Sequence, residues 1–255
     1  RVNIRGVDFP NRIVVPPMCQ YSANEGYVDD WHLVNLGRFA MGGAGLIITE
    51  ATAVQKKGRI THGCPGIWRD EQIIGHSRIA QFISRNGAIP GIQLGHAGRK
   101  ASMQRPWYGN GPLNEDDFER GDMPWNIVAP SACSVGEGWQ IPEEMSEEQI
   151  CELIDDFIAA ARRAISAGYK VIELHGAHGY LIHSFLSPVS NKRTDKYGGD
   201  LSGRMKLAID ISSALRRSIS DETPLFFRVS STDNLENGWS IEDSVELAKE
   251  LKKVG

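Results

Sequence analysis

The sequence predicts an α/β fold, a TIM (β/α)8 barrel of which residues 1–255 carry about five βα units. Three observations lead there. Short apolar runs alternate five times with segments of helical period, the pattern of parallel strands covered by helices. No G-x-G-x-x-G follows the first run, which removes the main mark of a doubly wound dinucleotide fold. The fourth run, Val171-Ile-Glu-Leu174, leads into His175-Gly-Ala-His178-Gly-Tyr180, and titratable groups at the carboxyl end of a strand sit where barrels keep their chemistry. A complete barrel needs eight units, so three more of about 30 residues each are expected after Gly255.

The elements follow in order. Arg12 to Val15 is a β-branched run halted by Pro16-Pro17, so the first strand ends there. Asp29 or Asp30 can cap a helix from Trp31 to about Met41, stopped by Gly42-Gly43. Ala44 to Ala53 is apolar on both faces, as a buried parallel strand is. A helix from about Glu71 to Asn86 places Ile79, Phe82 and Ile83 on one face, and Ile89 to Leu94 is the third strand. Residues 101–145 break the rhythm with Pro, Gly, Trp and Asp, and a segment this long between strand and helix is read as a lid-like excursion. Ser146-Glu-Glu-Gln149 is a capping box. The helix it opens carries Ile150, Leu153, Ile154, Phe157, Ile158, Ala161 and Ile165 on one face and ends at Gly168. Lys170 to Leu174 is the fourth strand, Gly203 to Ser218 a helix, Leu225 to Val229 the fifth strand, and Ser240 caps a last helix ending near Gly255.

The composition, 41% hydrophobic and 24% charged, is that of a globular chain long enough for one large domain, so residues 1–255 are read as a single partial-barrel domain. The net charge of −4 comes with scattered Lys and Arg, which leaves no stripe for nucleic acid and no basic amphipathic helix for a membrane surface. Apolar runs fall well short of the roughly 20 residues that span a bilayer, and no signal-peptide pattern opens the chain. Cys19, Cys64, Cys133 and Cys151 are spread without a C-x-x-C, which fits a reducing cytoplasm and argues against a disulfide framework or zinc ribbon. A cytoplasmic location is expected. His175 and His178 lack a third ligand at helical spacing, so no metal site is expected.

Five segments taken together carry a resemblance: Pro16-Pro17-Met18-Cys19-Gln20-Tyr21, Gly45-Leu-Ile-Ile-Thr-Glu50-Ala51, Gly91-Ile-Gln93-Leu-Gly-His96-Ala-Gly-Arg99-Lys100, His175-x-x-His178-Gly-Tyr180-Leu and Asn191-x-Arg193-x-Asp195-x-Tyr197-Gly-Gly. They resemble the old yellow enzyme family of FMN-dependent ene-reductases, and within it the bacterial branch that includes the xenobiotic reductases. The resemblance covers nearly the whole chain in register with the strands.

It implies a TIM barrel with FMN over its carboxyl-end face. Pro17, Met18 and Cys19 would lie along the isoalloxazine with Ala51 beside it, and Gln93 and Arg228 would meet its pyrimidine edge, where charge gathers on reduction. Cys19 would tune the flavin potential. His175 and His178 would hold a carbonyl oxygen of an activated alkene, Tyr180 would give a proton to its α-carbon, and Tyr21 would add a hydrogen bond. NADPH or NADH would reduce the flavin in the same pocket, giving ping-pong turnover on a small-molecule enone or nitro compound. A homo-oligomer of the intact protein, and a phosphate site in the last βα units beyond Gly255, are also implied. Gly95 and Gly176 stand where relatives often have Ala, a change expected to matter little.

Two other functions remain open from sequence: a dienoyl-CoA reductase-like enzyme with an iron–sulfur cluster beyond Gly255, and a non-catalytic truncated fragment with unpaired strand edges. His96 and His183 are read as structural, and Arg99 and Lys100 as loop residues. The run Lys192, Arg193, Asp195, Lys196 is read as a solvated loop held by internal salt bridges. Trp107, Trp125 and Trp139 are either lid packing or substrate-facing.

Overall fold

The computed structural model describes residues 1–255. Five parallel strands form its sheet: β1 (Val14–Val15), β2 (Leu46–Ala53), β3 (Ile89–Gly95), β4 (Val171–Gly176) and β5 (Leu225–Val229). They neighbour one another in sequence order without a reversal. A doubly wound sheet reverses its order at a switch point, so the order is that of a singly wound barrel. Each strand is followed by a helix: α1 (Asp30–Met41), α2 (Ile73–Arg85), α3 (Glu147–Ala167), α4 (Leu201–Ser218) and α5 (Ile241–Val254). Successive helices pack on one another in a single layer around the arc. No helix is long and apolar enough to cross a membrane.

Local chemistry sets the helix ends. Asp29 accepts from the backbone of Trp31 to start α1, the Ser146–Gln149 capping box starts α3, Asp200 caps α4 and Ser240 caps α5. Gly168 closes α3 at φ 104°, a left-handed position that glycine takes at little cost. Between sheet and helices lies the main core, with Leu153, Phe157, Ala161, Ile172 and Leu174 all fully buried. Inside the arc, at the amino ends of the strands, Leu46, Ile48 and Val171 pack with Phe9. Phe9 comes from a hairpin, Val2–Ile4 paired antiparallel with Val7–Phe9, that closes the floor.

Several expectations shift. The first strand shrinks to Val14–Val15, because it is an edge strand with Val14 half exposed. The first turn of the helix before Arg85 is a separate 3-10 turn, Asp70–Gln72. β3 and β4 run on to Gly95 and Gly176, since small residues let the ladder continue up to the mouth. A short helix, Leu181–Leu186, follows Tyr180, an element the sequence does not predict.

The 101–145 excursion holds a 3-10 turn, a short helix Glu115–Glu119 and a parallel pair, Val128–Ala129 with Glu143–Glu144. Arg193 corrects the reading of its charge run. It is 6% exposed, pairs with Asp195, and donates to the carbonyls of Pro130 at 3.0 Å and Met145 at 2.6 Å. The internal salt bridge is there, but its arginine is a buried staple that ties the excursion to the loop after β4, because a guanidinium has enough donors to serve three partners. Arg99 makes a parallel link, donating to the Ser134 carbonyl at 3.3 Å.

Candidate active site

The carboxyl ends of the strands converge on one cavity of about 240 Å³. The inward positions alternate up each strand: Ile89, Gly91 and Gln93 on β3, then Val171, Glu173 and His175 on β4, with Phe226 and Arg228 on β5. The register sets Gln93 beside Glu173 and His175 beside Arg228. β2 needs a bulge to join them. Thr49 pairs with Ile92 and Thr52 with Leu94, so two residues, Glu50 and Ala51, stand opposite the single Gln93. Ala51 faces the cavity, while the Glu50 carboxylate turns to the backbone of the loop after β1.

Nine residues line the cavity, and all nine were singled out from sequence. Pro17, Cys19 and Tyr21 come from the loop after β1, Ala51 from β2, Gln93 from β3, and Arg228 from β5. His175 ends β4, and His178 and Tyr180 follow it in the turn. Met18 is the exception: its side chain is 45% exposed and lies off the cavity wall.

Three rings form the reactive corner. His175 and His178 have centroids 5.1 Å apart and nearly perpendicular, and His175 lies 4.9 Å from Tyr180. Nδ1 of His175 accepts the Ala177 N–H at 3.3 Å, which leaves the ring proton on Nε2. Burial, then the neighbouring His178 and Arg228, push the His175 pKa down to about 3. Burial, Arg228 and Lys100 also lower that of His178. Both imidazoles are therefore neutral N–H donors near pH 7. Burial, with Cys19, Tyr21 and Cys64 nearby, raises the Tyr180 phenol well above its ordinary value, so it keeps its proton. Burial first, then Cys64 and Glu50, raises the Cys19 thiol.

The turn that carries His178 is strained and held. His178 sits at φ 62°, a left-handed value that costs a non-glycine residue about 1–3 kcal/mol. Its N–H donates to Oγ of Ser230 at 2.9 Å, and its carbonyl accepts from Nζ of Lys100 at 2.8 Å. The next amide, Gly179 N–H, donates to Nδ1 of His183 at 2.7 Å, and Nε2 of His183 lies 3.0 Å from Asp233. Lys100 also stands 5.5 Å from the Tyr180 ring. His183 and Lys100 thus hold this turn from two sides, the structural part expected of His183. His96 holds its own turn: Nδ1 accepts from the Gly98 N–H and its carbonyl accepts from the Leu181 N–H.

Glu173 was not found by sequence reasoning. It is 5% exposed and accepts from Nε2 of Gln93 at 2.7 Å and from Nε of Arg228 at 2.9 Å. One carboxylate therefore fixes the amide and the guanidinium that face the cavity. The signal was present, since a Glu two residues before His175 in an apolar strand must share its inward face. Glu50, Ser230 and Asp233 were missed as well. The glycines also bear on the site. A methyl on Gly176 would fall 2.2 Å from Cε1 of Phe227 and 3.0 Å from the Arg228 carbonyl, so Ala fits there only if that ring moves, contrary to expectation. Gly95 is less tight, at 3.2 Å from Cβ of His175. Of the tryptophans, Trp125 packs, its Nε1 donating to the Lys57 carbonyl at 2.9 Å, whereas Trp107 meets the edge of Tyr21 at 6.2 Å.

The corner thus presents two neutral N–H donors, a protonated phenol, an amide–guanidinium edge and a small apolar wall at Pro17 and Ala51. A NADH:flavin oxidoreductase of Gibberella zeae is 47% identical over 265 residues, covering 100% of this chain and 64% of that protein. An NADPH dehydrogenase of a Geobacillus species is 42% identical over 254 residues, covering 99% of this chain and 68% of that protein. The chain thus spans about two thirds of the length of these relatives. The solved old yellow enzyme homologue from Zymomonas mobilis superposes with a TM-score of 0.81 at 26% identity, covering 99% of this chain and 69% of that one. Residues 2–255 match the model of the NADH:flavin oxidoreductase / NADH oxidase family, and the chain belongs to that family, the old yellow enzymes.

Proposed function

We propose that this chain carries the reactive corner of an FMN-dependent oxidoreductase that reduces the C=C bond of α,β-unsaturated carbonyl compounds with NAD(P)H. The observation that carries the reading is the pair of neutral imidazoles beside a protonated phenol on one cavity wall. The donor set also fits FMN. Gln93 and Arg228 would hold its pyrimidine edge, oriented by Glu173, and Pro17, Cys19 and Ala51 would take its ring surface. When bound and reduced by NAD(P)H, FMN supplies hydride to the substrate β-carbon.

The protein's own groups do the rest. Nε2–H of His175 and a ring N–H of His178 donate to the substrate carbonyl oxygen and stabilise the negative charge that develops there. Neutral donors suit this role, since they need not lose a proton they must keep. The Tyr180 hydroxyl gives its proton to the α-carbon. Tyr21, held at φ 52°, adds a hydrogen bond to the substrate. Met18, off the wall, is assigned no contact with the ring system.

The test uses the full-length protein. It should be yellow as purified, lose its flavin absorbance anaerobically on addition of NADPH, and regain it on addition of 2-cyclohexenone. A full-length protein that takes up no FMN, or a reduced one that the enone does not reoxidise, overturns the reading.

A further inference from the structure

Beneath the Cys19–Tyr21 side of the cavity lies a carboxylate that the proposed chemistry does not use. Glu50 is 3% exposed. The β2 bulge turns it away from the cavity, where its neighbour Ala51 stands. Its Oε2 accepts the Gln20 N–H at 2.8 Å. That amide lies between Cys19 and Tyr21 in the loop after β1, and Tyr21 is the loop's strained member at φ 52°. Behind the carboxylate, Nε2 of His32 lies 3.7 Å from Oε1, buried and without a hydrogen-bond partner. Nδ1 of His32 accepts the Asp29 N–H, the capping contact that starts α1.

We propose that Glu50 is a positioning residue for the Cys19 side of the site: its buried carboxylate pins the Gln20 backbone next to Cys19, and its charge adds to the burial that keeps the Cys19 thiol neutral. The inference rests on the proposed function only in taking this cavity as the reaction site. A buried negative charge near a thiol disfavours a second one, and Glu50 is among the groups that oppose ionisation of Cys19 and of Tyr21.

The titratable groups facing Glu50 come from every element around it. His32 faces it from α1, Cys19 and Tyr21 from the loop after β1, Cys64 from the segment after β2, and Tyr169 from the approach to β4. His76 of α2 stands next in line, interacting with His32. None is a cation near pH 7, since burial lowers the pKa of both histidines. Burial raises the Glu50 carboxyl to about 7. At the higher pH where Cys19 titrates, Glu50 is therefore ionised and its charge is in place.

The test is the pH profile of Cys19 alkylation by iodoacetamide, read by peptide mass spectrometry so that Cys133 and Cys151 do not contribute. It needs no flavin, so it can fail while the ene-reductase reading stands, and the reverse. Glu50→Gln keeps the shape and removes the charge. Its midpoint is expected about one pH unit below the native one, with alkylation roughly tenfold faster at a fixed pH below both. Glu50→Asp, whose charge sits one methylene farther back, is expected in between. A merely structural role would speed alkylation at all pH values without moving the midpoint. An unmoved midpoint in Glu50→Gln overturns the proposal, and if that variant does not fold, an unmoved midpoint in Glu50→Asp does so.

Discussion

The two ends of the same strands follow different rules. At the amino ends, Leu46, Ile48 and Val171 meet Phe9 of the hairpin in a dry apolar floor. At the carboxyl ends the inward positions become Ala51, Gln93, His175 and Arg228, with Glu173 bracing two of them. Apolar contacts are non-directional, so the floor needs only volume and shape. Buried polar groups need named partners, because an unsatisfied one costs about 1–3 kcal/mol. The floor should therefore respond to mutation in stability, and the mouth in chemistry.

The largest expected effect tests the mouth. Tyr180→Phe removes one hydroxyl and keeps the ring that packs against His175. Reoxidation of the reduced flavin by an enone is expected to slow about 10²- to 10⁴-fold, while reduction by NADPH and the melting temperature stay close to wild type. Stopped-flow measurement of the two half-reactions checks this. Equal losses in both would remove Tyr180 from the proton-donor role.

Leu46→Ala is the matching change at the floor. Leu46 is 1% exposed, and truncating a buried leucine costs about 2–5 kcal/mol. Denaturant unfolding should show that loss, while both half-reaction rates of the folded protein hold. A large loss of rate without a loss of stability would show that the two ends are coupled.

How much of this was legible in the sequence follows the same divide. The helices carry their signals locally: the Ser146–Gln149 box and Gly168 bound α3 in the sequence as in the structure. His175, His178 and Tyr180 were legible from their place at a strand end, and the rest of the cavity wall from the family resemblance its segments carry. What escaped is what depends on contacts distant in sequence. Glu173 gains its role only when Arg228, 55 residues on, arrives beside it. Glu50 is turned from the cavity by a bulge that exists only against β3. Arg193 looks like part of a solvated charge run until the excursion's carbonyls surround it. Met18 sits in a matching motif, yet its side chain is 45% exposed and does not line the cavity.

A smaller effect sharpens the role of bracing. Glu173→Gln keeps the shape but sets an amide N–H against the donors of Gln93 or Arg228. FMN affinity of the full-length protein is expected to weaken by about 1–3 kcal/mol, read by flavin fluorescence on dilution. Enone reoxidation of the enzyme that retains flavin should change far less. Unchanged affinity would mean that Gln93 and Arg228 do not need the carboxylate to face the cavity.

The smallest effect at the site is an expected absence of change, set against a global loss. Burial lowers the pKa of His76 to about 4 and that of His96 and His175 to about 3. As pH falls below the unfolded-chain value of about 6.5, the unfolded state binds protons that these imidazoles refuse. Stability therefore drops, by about 1.4 kcal/mol per pH unit for each proton fully taken up. Glu50 opposes this. Its carboxyl, held at about 7, gives stability that is full below the unfolded value of about 4.3 and is lost as pH rises through 7. Three imidazoles outweigh one carboxyl, so the melting temperature should fall between pH 6.5 and 4.5. Enone affinity per folded molecule should stay flat over the same range, because His175 remains the same neutral donor. An affinity that falls away with a midpoint near 6.5 would show His175 charging at the pH of an exposed imidazole, and the mouth would then lack the burial that sets its chemistry.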